Sequence, residues 1–163
     1  MITIYYNQDN ILNFKIDKFS DGTRKITFNE GLLNDIFVAD DRLTICWRYE
    51  NEGELLDLIY ITRHLQEREP GFILSLFLPY IPNARMDRVE DYQKEVFTLK
   101  YFAEIINNLC FDHVIVTDPH SRVAEALFNN LVIYPTISTI IQQILNKVQP
   151  ENIDEILFLF PDK

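Results

Sequence analysis

Residues Phe72 to Ser121 read FILSLFLPYIPNARMDRVEDYQKEVFTLKYFAEIINNLCFDHVIVTDPHS, and the fold follows from this stretch. Phe72–Leu78 is apolar except for Ser75 and stops at Pro79, as expected of a central strand covered on both faces. A polar loop with Asn83, Ala84, Arg85, Met86, Asp87 and Arg88 comes next. The spacing of Phe97, Phe102, Ile105, Ile106 and Leu109 predicts a helix from Lys94 to about Leu109. His113–Thr117 is again a strand, opening into Asp118-Pro119-His120-Ser121. Charged and titratable side chains thus fall at the C-terminal ends of two strands in one βαβ unit. In open α/β sheets, ligands bind at that edge.

Working toward the N-terminus, Asn51–Arg68 reads as a helix with Leu55, Leu56, Ile59 and Leu65 toward the sheet and Asn51 as its N-cap. Arg42–Tyr49 is β-rich, with Leu43, Ile45 and Trp47 on one face. Ile2–Tyr6 is a short strand. Leu12–Phe19 alternates apolar and polar residues. Ser20-Asp21-Gly22-Thr23 then turns it into a returning strand, Arg24–Asn29, because Asp-Gly supplies the positive φ of a hairpin turn.

Toward the C-terminus, Ser121 caps a short helix, Arg122–Phe128. Leu131–Tyr134 is a strand, Thr136–Val148 a helix, and Ile156–Phe160 a final strand before Pro161-Asp162-Lys163. Strands and helices alternate from Arg42 onward. This predicts one α/β domain: a mainly parallel sheet flanked by helices on both faces, with an N-terminal β-hairpin.

The 163 residues suffice for one domain with a sizeable core. A net charge of −10 argues against nucleic acid and anionic membranes as partners, which require a basic field. It leaves a phosphorylated ligand open, since a few local cations with Mg²⁺ suffice. No apolar run reaches the roughly 18 residues of a membrane span. Cys46 and Cys110 belong to no CxxC pair and read as reduced, mostly buried thiols of a cytoplasmic protein.

Three groups carry chemistry. Asp118 and His120, two apart at a strand end, can face one crevice as metal ligand and acid or base; the plain alternative is a helix cap and a surface histidine. Arg85, Asp87 and Arg88 suit phosphate, because the guanidinium fork donates two parallel hydrogen bonds; the alternative is a solvated loop of internal Arg–Asp pairs. Phe19 and Asp21 can stack on a purine and accept from its amino group, or simply build a turn. His64 reads as solvated and His113 as a boundary residue.

In order, Phe19-Ser20-Asp21-Gly22, then Pro79-Tyr80-Ile81-Pro82-Asn83-Ala84-Arg85-Met86-Asp87, then Asp118-Pro119-His120 resemble the N-terminal half of the ribose-phosphate pyrophosphokinase (PRPP synthetase) family. That family carries Phe-x-Asp-Gly-Glu, Pro-Tyr-x-x-Tyr-Ala-Arg-Gln-Asp and Asp-Leu-His in the same order. Thr98-Leu99-Lys100 and Pro161-Asp162 also resemble family segments.

The resemblance implies a type I phosphoribosyltransferase-like fold, with residues 1–160 as the first of two tandem domains and 161–163 as the start of the second. It implies transfer of the diphosphoryl group of Mg-ATP to ribose 5-phosphate in a homo-oligomer. By that likeness Arg85, Asp87 and Arg88 contact ATP, while Phe19 and Asp21 reach the adenine held by a neighbouring subunit. His120 lies by the phosphates, and Asp118, His120 and Asp162 hold Mg²⁺. Ribose 5-phosphate is bound by the family's second half, so this chain alone is expected to be inactive.

The chain departs from the pattern at Thr23 for Glu, Met86 for Gln and Pro119 for Leu, and Val89–Lys94 leans acidic where the family's loop is basic. These departures favour the other reading, a non-catalytic binding or regulatory relative.

Overall fold

The structure, a computed structural model, describes residues 1–7, 10–29, 42–68 and 71–148. Its elements run β1 (Ile2–Tyr6), β2 (Asn10–Leu12), β3 (Phe14–Lys18), β4 (Arg24–Phe28), β5 (Arg42–Trp47), α1 (Gly53–Arg68), β6 (Ile73–Tyr80), α2 (Thr98–Asn107), β7 (His113–Asp118), α3 (Arg122–Leu127), β8 (Leu131–Ile133) and α4 (Thr136–Val148). Asp35–Asp41, Ile156–Phe160 and Asp162 lie outside the described residues.

Six strands form one mixed sheet in the order β2-β1-β5-β6-β7-β8. β5 to β8 pair in parallel, and β1 runs antiparallel to both β2 and β5. In-register partners share a face. Leu12, Ile4, Ile45, Leu76, Val114 and Leu131 therefore make one apolar row across all six strands. The first five are buried and Leu131 packs against them. β5 and β6 bury residues on both faces: Cys46 as well as Ile45 and Trp47, and Ser75 as well as Leu74 and Leu76. This is the covered strand pattern of a parallel sheet flanked by helices.

β3 and β4 form a separate two-stranded hairpin. The single strand expected over Leu12–Phe19 is thus split at Asn13. Leu12 belongs to the main sheet and Phe14 to the hairpin. The turn is built as the sequence predicts, with Gly22 at φ 85° and the Phe19 N–H donating to the Thr23 carbonyl at 2.9 Å.

Two other boundaries differ. β6 continues through Pro79 to Tyr80. The register with β7 passes from Leu78↔Val116 to Tyr80↔Asp118 and skips Pro79, which has no N–H to give the ladder, while pairing with β5 has already ended at Cys46↔Phe77. α2 begins at Thr98 rather than Lys94. Asp91 closes a turn of its own there: its side chain accepts the Gln93 N–H at 3.0 Å and its carbonyl the Glu95 N–H at 2.9 Å. Such local bonds compete with a helix.

α1 presents Leu58, Ile61, Leu65, Asp57 and Thr62 to the interior, leaving Leu56 exposed. Of the expected set, Leu65 is buried and Leu55 and Ile59 pack against the core, so Leu56 alone departs; Ile105 on α2 is likewise exposed. Cys46 is buried and Cys110 exposed, and both are free thiols. No helix among the described residues is long and apolar enough to cross a membrane.

Candidate functional site at the strand ends

The register Tyr80↔Asp118 brings the C-terminal ends of β6 and β7 side by side, so the two loops that follow start as neighbours. Between them lies a cleft of about 370 Å³ lined by Tyr80, Ile81, Asn83, Arg85, Asp118 and His120. The Thr117 hydroxyl donates to the Pro79 carbonyl, tying the two strand ends together. Tyr80 is anchored by its hydroxyl to the Tyr49 carbonyl at 3.1 Å.

The β6 loop turns tightly. The Ala84 N–H donates to the Ile81 carbonyl at 3.3 Å and the Met86 N–H to the Asn83 carbonyl at 2.9 Å. Asn83 sits at φ 64°, a left-handed conformation that asparagine tolerates well. Ile81 and Ala84 are buried, so the loop is rooted in the core while Arg85 stays exposed. Among the described residues, neither Arg85 nor Arg88 forms an ion pair, so the internal Arg–Asp pairing with Asp87 is not what the loop adopts.

The β7 loop mirrors this arrangement. His120 sits at φ 66°, and its backbone N–H donates to Asp118 Oδ1 at 2.9 Å. Ser121 is extended and caps α3, its hydroxyl accepting the Ala124 N–H at 3.4 Å. The helix cap is therefore Ser121, and Asp118 is tied to the turn. The structure thus brings Arg85, Asp118 and His120 onto one cleft. Asp87 and Arg88 follow on the same loop without lining it. A second, more apolar cleft of about 630 Å³ opens on the β8 side of Asp118, between Ile133, Tyr134, Pro135 and Ile141.

Phe19 and Asp21 lie elsewhere in the chain, at the tip of the hairpin. Phe19 is 56% exposed. Asp21 Oδ1 accepts the Thr23 hydroxyl at 2.7 Å and the Thr23 N–H at 2.9 Å, and these bonds hold its carboxyl below the usual range. Neither residue lines the strand-end cleft of its own chain.

Mg²⁺ prefers oxygen donors and is usually held by one or two carboxylates together with a ligand's phosphates. Asp118 is the carboxylate of the cleft, with Oδ1 engaged by the His120 N–H and Oδ2 left to accept. The His120 ring offers nitrogen, a donor suited to other metals. Among the described residues, no three His, Cys, Asp or Glu side chains gather as a metal cage. This donor set fits Mg²⁺ carried on phosphates rather than a cage built by the protein.

Two features escaped the sequence reading. One is the pair of left-handed residues, Asn83 and His120, that shape the cleft from both sides. The other is a buried ion pair beneath the hairpin, Arg24 Nε to Asp57 Oδ1 at 3.0 Å. Burial pushes the Asp57 carboxyl up, and the Arg24 guanidinium opposes that rise.

No family model matches the chain, and no curated protein matches it. Among solved structures it is similar to the phosphoribosylpyrophosphate synthetase from Mycobacterium smegmatis, at 15% identity and a TM-score of 0.61. The match covers 85% of this chain and 46% of that one, so the chain spans about half the length of the enzyme it resembles. The likeness carries the fold: a phosphoribosyltransferase-like α/β sheet with a short antiparallel hairpin.

Proposed function

We propose that this chain is the N-terminal domain of a ribose-phosphate diphosphokinase and supplies its ATP-binding surface. The observation that carries this reading is the convergence of Arg85, Asp118 and His120 on one cleft at the paired ends of β6 and β7. The fold shared with a phosphoribosylpyrophosphate synthetase supports it. Arg85 would grip phosphate through its guanidinium fork and His120 would donate to a phosphate oxygen. Asp87 and Arg88 extend that loop toward the nucleotide. Phe19 and Asp21, exposed on the hairpin, would reach the adenine in another copy of the chain.

Mg²⁺ on the nucleotide would face Asp118 Oδ2 and neutralise phosphate charge; Asp162 and His120 remain candidate ligands. Diphosphoryl transfer needs positioning and charge neutralisation more than covalent chemistry, and this donor set can supply both. Ribose 5-phosphate would bind to a second domain beginning near Pro161, and this chain alone would not turn over. The test is AMP release from Mg-ATP by the full-length natural protein. Release that requires ribose 5-phosphate supports the proposal; nucleotide binding without release refutes the catalytic part.

A second reading is favoured by the segment between Val89 and Lys94. Its one lysine, Lys94, is paired to Asp91 at 2.9 Å, so the loop offers the phosphates little free positive charge. A non-catalytic relative that binds nucleotide or assembles with a catalytic partner would have this loop. It predicts no AMP release and an activity of the partner that changes when this protein is added.

A further inference from the structure

The turn that ends β7 holds His120 at φ 66°, in a region that few non-glycine residues adopt. Five non-glycine residues have positive φ among those described, and three of them, Asn7, Asn83 and Asn130, are asparagines. Asparagine suits this region because its short side chain bonds locally. Histidine is also over-represented in this region, yet a left-handed residue with a β-carbon still costs about 1 kcal/mol. Strain of this kind persists only where neighbours over-determine it, and it clusters at ligand sites.

Three constraints hold His120 in place. Asp118 Oδ1 accepts its N–H at 2.9 Å from behind. The Ser121 N–H donates to the Pro119 carbonyl at 2.8 Å across it. Ser121 then locks the exit by capping α3. Two of these bonds are made by the backbone and by the helix cap, which many residues could provide. The bond from behind depends on one side chain.

We propose that Asp118 is a positioning residue: its carboxylate holds the left-handed turn that presents His120 to the cleft. In that role it acts as a hydrogen-bond acceptor through Oδ1, separately from the Mg²⁺ that Oδ2 would face. The ligand half of this inference rests on the phosphate role assigned above to His120. The chemistry separates the two roles of Asp118. An asparagine side-chain carbonyl accepts the same N–H bond but offers a metal no charge. An alanine accepts nothing.

The experiment uses the full-length natural protein with Asp118→Asn and Asp118→Ala. Imidazole ¹H–¹³C spectra without ligand report on His64, His113 and His120 separately. Asp118→Asn should leave the His120 signals in place. Asp118→Ala should move them while His64 and His113 stay unchanged, which also shows that the fold is intact. Inorganic diphosphate, titrated with and without Mg²⁺, then reads the cleft. Without Mg²⁺, Asp118→Asn should bind within about twofold of wild type, and Asp118→Ala about tenfold more weakly, the loss expected for a hydrogen bond to a charged group.

Unmoved His120 signals in Asp118→Ala would overturn the proposal. So would equal weakening of both variants confined to Mg²⁺, which would make Asp118 a metal ligand acting by charge. If wild type binds no diphosphate, the phosphate reading fails, and the spectra still decide whether Asp118 sets the turn.

Discussion

At the scale of single residues, position and exposure separate function from scaffold. Arg85 is exposed on a loop whose buried anchors are Ile81 and Ala84, so removing its side chain should not unsettle the core. Arg85→Ala should leave the melting temperature within about 1 °C of wild type while weakening Mg-ATP binding about tenfold. Thermal melts and calorimetric titration check the two halves separately.

The cleft was legible in part. Arg85, Asp118 and His120 stand out because their chemistry is rare at strand ends and their loops are adjacent in a βαβ unit. The conformations of Asn83 and His120 were not legible, since they depend on hydrogen bonds that form only once the turns are built. Phe19 and Asp21 stand apart from the cleft of their own chain, because the hairpin that carries them pairs with no strand of the main sheet.

At the scale of elements, the hairpin is attached to α1 rather than to the sheet. Arg24 reaches over Gly53, where a β-carbon would meet its guanidinium at 3.0 Å, and pairs with Asp57. Phe28 stacks on His64, with ring centroids 5.4 Å apart. His64 is thus exposed but packed, where its charged neighbours suggested simple solvation. The Asp57 side chain is only 4% exposed. Removing its partner leaves a buried carboxylate unpaired, so Arg24→Met should cost about 3 kcal/mol in urea unfolding. The double variant Arg24→Met with Asp57→Leu should recover most of that loss. The burial of Asp57 could not be read from α1 alone, because the partner that permits it is on another element.

The two carboxylates of α1 should also respond oppositely to pH. Burial alone would raise the Glu54 carboxyl, but the N-terminal amine, the Trp47 indole N–H at 2.9 Å and the Glu50 N–H at 3.0 Å outweigh it and hold it below 4.5. Its contribution is present above pH 4.5 and is lost as pH falls through the lowered value. Asp57 is raised above 3.8, so its contribution is present below pH 3.8 and is lost as pH rises through the raised value. Relative to wild type, Glu54→Gln should therefore lose less stability on acidification. Asp57→Asn should gain relative stability as pH climbs above 3.8. Urea midpoints across this range, in each variant, check both signs.

At the scale of the whole molecule, the sheet order was largely foreseeable. Alternating strands and helices from Arg42 onward, with apolar runs at the centre, leave few topologies for β5 to β8. The errors fell at edges: where Leu12 hands over to the hairpin, where Pro79 was read as a stop, and at Leu56, which turns out of the inward stripe of α1. Each was decided by pairing or burial between distant segments.

The chain matches about half the length of the enzyme whose fold it shares. On the proposed function, acceptor binding and turnover would fall outside these residues, and nucleotide binding within them. The mass of the natural gene product, taken from its source cells, should be roughly twice that of this chain.

The most direct measurement of the central claim is calorimetric titration of the full-length natural protein with Mg-ATP, in wild type and Arg85→Ala. The account predicts saturable binding by wild type and an affinity about tenfold lower in the variant. Equal affinities would mean that the cleft between the ends of β6 and β7 is not where the nucleotide binds.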